Sequence, residues 1–149
     1  MTYHSKSRKG YKLVIVFWML IMFFVVSVSI IFIPVFRGYL SGAFMLTSGI
    51  ILILLGGSLI FLTLKQKVKN KLKKFLILTG ASTAGFFIFV FLHNIFYGIG
   101  MVTGDIIILK ELVKILELYF FLMAIFVCPV AFLVGVIGCI ANRISSLNK

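Results

Sequence analysis

The chain has 149 residues, of which 62% are hydrophobic and only 12% charged, with a mean hydropathy of +1.24. Soluble domains carry about a quarter of their residues as charges, so this composition excludes one and leaves a single integral membrane domain spanning residues 1–149. The net charge of +12 does not point to nucleic acid, because the basic residues flank apolar runs; they set topology and meet anionic lipid head groups, at about 1 kcal/mol each near the surface.

Residues 1–12 carry Lys6, Arg8, Lys9 and Lys12 with no acid, and are expected to form a disordered cytosolic arm. A first span is predicted over 13–36, with Trp18 near its start and Pro34 near its end. Its apolar run exceeds the roughly 7–15 residues of a signal peptide, and no small-x-small cleavage site precedes Arg37, so it reads as an uncleaved anchor. The short connection at Arg37-Gly38 implies an antiparallel hairpin into a second span, 39–64. In that span Gly42, Gly49 and Gly56 recur every seven residues, a seam that a neighbouring helix can approach closely, and Gly57 and Ser58 widen it.

Lys65, Lys67, Lys69, Lys71, Lys73 and Lys74 then crowd into ten residues. A lysine at the bilayer centre costs roughly 2.5–3.5 kcal/mol, so this loop stays in the cytosol among lipid head groups and orients the rest of the chain. The third span, 75–101, opens with the small, hydroxylated run Thr79-Gly-Ala-Ser-Thr-Ala-Gly85, in which Gly80 with Ala84 and Ala81 with Gly85 form small-x-x-x-small pairs. Bulky residues follow, interrupted only by His93-Asn94.

Residues 105–117 form an amphipathic segment with Asp105 as N-cap and Lys110, Glu111, Lys114 and Glu117 on one side. It either lies along the outer interface or lengthens the fourth span, predicted over 118–141. That span contains Pro129, an expected kink, and a small seam of Ala124, Ala131, Gly135 and Gly138 suited to the glycines of the second or third span. Cys128 and Cys139 lie about 16 Å apart along this helix, too far to pair.

With the lysine loop inside, an even number of spans places both termini inside too. Lys6, Arg8, Lys9, Lys12, the loop lysines, Arg143 and Lys149 then share one face without a single acid. Arg37, Lys110 and Lys114 balance Asp105, Glu111 and Glu117 on the other. Tyr11 falls at the inner boundary and Tyr39, Tyr97 and Tyr119 at the outer one, as an aromatic belt requires. The fold class expected is therefore all-α, a four-helix transmembrane bundle with both termini cytosolic.

His93-Asn94 is the candidate functional pair, since an ionisable residue within a span is a functional hypothesis by default. About 27 Å of helix separates it from Phe75, which puts it near the outer boundary, where a polar pair bridging two helices is the plainer reading. No cofactor is expected: His4, the other histidine, lies across the membrane, and no set of ligands has zinc spacing. The hydroxyls of Ser27, Ser29, Thr47, Ser48, Ser58, Thr63, Thr79, Ser82 and Thr83 are expected to bond back to their own helices.

The stretch Leu78-Thr-Gly-Ala-Ser-Thr-Ala-Gly85 with Leu92-His-Asn94 resembles a segment of small, uncharacterised four-span prokaryotic membrane proteins, which implies a plasma-membrane location but no activity. The chain does not resemble the small multidrug exporters, which need a glutamate in the first span, or the vitamin K epoxide reductase relatives, which need Cys-x-x-Cys. The expected function is that of a non-enzymatic accessory or assembly component, packing with itself or with a larger membrane complex through the glycine seams. The alternative is an oligomeric transport or permeation element for a small solute. An integral-membrane enzyme would have to be centred on His93 and Asn94.

Overall fold

The computed structural model describes residues 3–33, 42–66, 68–102 and 107–147, with side-chain surroundings for 11–30, 33, 43–66, 68–102 and 107–142. The described residues are helical almost throughout: α1 (Tyr3–Phe32), α2 (Gly42–Lys65), α3 (Asn70–Val102), α4 (Ile107–Leu122) and α5 (Cys128–Leu147). A π-helical turn, Met123–Val127, joins α4 to α5 into one rod, so four helical bodies are long and apolar enough to cross a membrane.

One expectation changes and one open alternative closes. The arm that opens the chain continues α1 from Tyr3 instead of being disordered. The amphipathic segment extends the fourth span, with α4 running directly into it. The expected N-cap Asp105 and the turn residues Arg37, Gly38 and Tyr39 lie outside the described residues, as does Lys67.

The π turn has a local cause. Pro129 has no N–H to give, and its ring crowds the carbonyl four residues back. Widening the turn just before it relieves both problems, and the Cys128 N–H bonds the Met123 carbonyl five residues behind.

Helix α3 is the hub, packing against α2, α4 and α5, while α1 packs on α2. Where α1 meets α3 and α5 the contact is aromatic: Phe24 lies edge-on to Phe86 of α3 at 5.6 Å and stacks, tilted, on Phe132 of α5 at 4.1 Å. Leu20, Leu52, Leu59 and Phe86 are the fully covered centre. Lipid tails are as apolar as these side chains, so close packing rather than water exclusion holds them together.

These contacts fix the heights of the helices. Lys12 and Lys74 each lie twelve positions below Phe24 and Phe86, so they are level with one another. Lys65, nine positions past Gly56, comes level with Lys71 across the Gly56–Gly80 contact. Arg143, five past Gly138, comes level with Asn70 across the Gly138–Phe75 contact. These basic residues thus gather at one end of the bundle, while Lys110 and Lys114 lie at the other. At the other end, Phe32 and Gly42 both come level with Asn94, and α3 continues eight positions farther, about 12 Å, beside the returning α4.

Candidate functional site

The pair singled out in the sequence occupies this upper boundary. His93 is half-buried, and its Nδ1 lies 3.2 Å from the Glu117 carbonyl oxygen on α4. A carbonyl can only accept, so the proton sits on Nδ1, a tautomer the neutral ring can supply. The imidazole also tilts against Phe121 at 5.3 Å. Asn94 is exposed, and its Nδ2 donates to the Val90 carbonyl at 2.7 Å on its own helix. The two neighbours in sequence therefore do different jobs: His93 ties α3 to α4, and Asn94 bonds back along α3. Among the described residues no three His, Cys, Asp or Glu side chains gather to hold a metal.

The small residues give the closest approaches in the bundle. A Cβ built on Gly56 would stand 2.6 Å from the Gly80 carbonyl oxygen, and one on Gly80 would stand 2.8 Å from the Gly56 carbonyl oxygen. Ala84 fills the next step, 3.3 Å from the same Gly56 position. Gly49 lies under the Phe87 ring, where a Cβ would come within 2.9 Å, so that glycine receives a side chain rather than a backbone. Gly42 opens α2, outside the described side-chain surroundings. Gly57 faces open space.

The rod makes a second such contact on α3. A Cβ on Gly135 would stand 2.9 Å from the Thr79 amide nitrogen and 3.2 Å from the Phe75 carbonyl oxygen, and Gly138 lies directly against the Phe75 ring. The Cys139 thiol is within hydrogen-bonding reach of Thr79. Ala124 is buried, whereas Ala131 is only partly covered, in an open apolar groove. Of the other predicted pair, Ala81 is exposed and Gly85 has Cys128 Sγ for a neighbour, 3.5 Å from its virtual Cβ.

On α3, Gly80 and Ala84 thus face α2, and Phe75 and Thr79 face α5. Gly49, Gly56, Gly80, Gly135 and Gly138 are already filled by α2, α3 and α5 themselves.

Six of the hydroxyl groups bond back to their own helices. Thr63 donates to the Leu59 carbonyl, Thr79 to Phe75, Ser82 to Leu78 and Thr83 to Thr79, at 2.7–2.9 Å, and Thr47 and Ser48 bond back in the same way near the top of α2. In hydrocarbon an unbonded hydroxyl is costly, and the carbonyl one turn back is always within reach. Thr63, Thr79 and Thr83 are fully buried, so these groups serve as small, satisfied packing units. Of the proposed head-group lysines, Lys65 is exposed with its ammonium 5.6 Å from the Phe61 ring centre, and Lys69, Lys71 and Lys74 are exposed while Lys73 is partly covered.

No protein-family model, curated protein or solved structure matches the chain. The arrangement of its own residues is therefore the ground for a functional reading.

Proposed function

We propose that this is a non-enzymatic accessory or assembly component of a prokaryotic plasma membrane, both termini cytosolic, which packs with a copy of itself or with a larger membrane complex. One observation carries the reading: the polar side chains in the helices are spent on holding helices. The buried threonines cap carbonyls of their own helices, and His93, the one histidine of α3, donates to a backbone carbonyl of α4. The gathering of basic residues at one end supports the orientation, since that end is the one lipid and translocation hold in the cytosol.

Purification of the tagged full chain from native membranes in a mild detergent tests the proposal. Stoichiometric recovery of another membrane protein, or of a stable multimer, supports it. A strictly monomeric chain whose His93→Ala variant loses a measurable chemical activity, while assembling and folding as before, would replace it with the enzyme reading. A reporter fused to either terminus reads the orientation separately.

A further inference from the structure

Between α3 and the rod of α4 and α5 runs an open apolar groove of about 420 Å³, lined by Leu78, Phe126, Val127, Val130, Ala131 and Val134. Ligand clefts hold roughly 300–1,000 Å³. The recess exists because α3 offers little bulk above Leu78: Ala81 and Gly85, three and seven positions farther on the same face, are small. Gly135 lies against the Thr79 amide, which brings Val134 close to the level of Leu78. From there the groove rises to Phe126, eight positions or about 12 Å higher.

The lower mouth of the groove is basic. Lys74 and Lys71 stand four and seven positions before Leu78, on the same face of α3 and about 6 and 10 Å below it, and both are exposed. Helical side chains lean toward the N-terminus, which for α3 is the basic end, so both ammonium groups reach away from the hydrocarbon. No side-chain carboxylate of the chain comes near them, since the three acids are Asp105, Glu111 and Glu117, and α4 carries the last two at the opposite end. The first turn of α3 holds no acid either, so these lysines crowd the positive end of its dipole, an arrangement that an external anion relieves.

We propose that this is a binding site for one anionic phospholipid, with an acyl chain lying in the groove and the phosphate held by Lys71 and Lys74. Basic pockets between membrane helices take such head groups. The two parts follow the order of a lipid in its leaflet, the polar group at the boundary and the chain running inward from it. Charge alone does not mark the place, because Lys12 and Lys65 lie at the same height on α1 and α2. What this face adds is a recess directly above the charge. The site is independent of the assembly reading, since a lipid requires neither a partner protein nor a second copy.

Native mass spectrometry of the full chain in detergent, titrated with phosphatidylglycerol or with phosphatidylcholine of the same acyl chains, tests the site. One phosphatidylglycerol per chain is expected to stay bound at concentrations where phosphatidylcholine has left. Lys71→Gln with Lys74→Gln is expected to weaken that binding roughly 30-fold, at about 1 kcal/mol per lysine. Lys12→Gln with Lys65→Gln removes the same charge at the same height and is expected to leave most of the binding in place. Val130→Trp, in the groove wall, keeps every charge and is expected to weaken binding several-fold. All five positions are exposed, so the variants are expected to keep the circular dichroism of the parent. Equal retention of the two lipids, equal losses from the two lysine pairs, or no loss on filling the groove overturns the proposal. Displacement of the lipid by millimolar inorganic phosphate also overturns it, because the lysines would then hold a free anion. Recovery of the chain without any partner would end the assembly reading and leave this site untouched.

Discussion

Gly56 and Gly57 are neighbours in sequence with opposite surroundings, and replacing each by alanine separates sterics from helix propensity. Alanine gains about 0.5–1 kcal/mol over glycine within a helix, and that gain is common to both sites. At Gly57 nothing lies within 4 Å, so Gly57→Ala is expected to keep the gain. At Gly56 the added methyl would meet the Gly80 carbonyl oxygen at 2.6 Å, and backbone cannot rotate away as a side chain can. Helices α2 and α3 have to part by about half an ångström or more, which forfeits a quarter to a half of each close contact along the seam; overpacking of this kind costs about 1–3 kcal/mol. The two variants should therefore differ by about 2 kcal/mol, nearly 30-fold in the folded-to-unfolded ratio. Denaturation of the purified proteins in mixed detergent micelles, followed by circular dichroism, measures the difference. Equal midpoints, or a more stable Gly56→Ala, would falsify the close approach on which the packing of α2 rests.

The second seam behaves as a pair: Gly138→Ala alone is expected to destabilise by about 1–3 kcal/mol, and Phe75→Leu in the same chain to restore part of the loss, a coupling that a double-mutant cycle measures. Thr63→Val should change stability by no more than about 0.6 kcal/mol, because the Leu59 carbonyl keeps its helical partner when the hydroxyl goes; a loss above about 2 kcal/mol would show that the hydroxyl bonds something else. His93→Ala is expected to cost about 0.5–1.5 kcal/mol and to increase amide exchange in α4 around Glu117, while exchange in α2 stays as it was. Tyr11→Cys, at a position 69% exposed, should react with a membrane-impermeant thiol reagent only from the cytosolic side; labelling of intact cells from outside would reverse the orientation.

Length and hydropathy were enough to read four spans, because a bilayer demands about 20 apolar residues whatever packs beside them. Where each helix ends was less legible. Lys6, Arg8 and Lys9 mark a polar stretch, and polarity alone does not distinguish a coil from a helix that has left the lipid; here α1 simply continues. The same blindness affects Lys110 to Glu117, where alternating charge fits both a surface helix and the extension that α4 forms. Gly56 and Gly80 announced close contact, but a spacing of seven cannot say whether the neighbour belongs to the same chain, and the Gly56–Gly80 carbonyl contacts supply that answer. The depth of His93 followed from counting turns. Its partner did not, because a backbone carbonyl leaves no residue-specific signal in a sequence.

The position of α3 as hub also bears on biogenesis. A chain made from its N-terminus presents α1 and α2 to the membrane before α3 can pack beside them. Until Phe87, Gly80 and Ala84 arrive, the Gly49 and Gly56 face lacks the neighbours it takes in the finished fold. The newborn hairpin therefore completes its packing only with the third span, so the order of synthesis and the order of packing coincide.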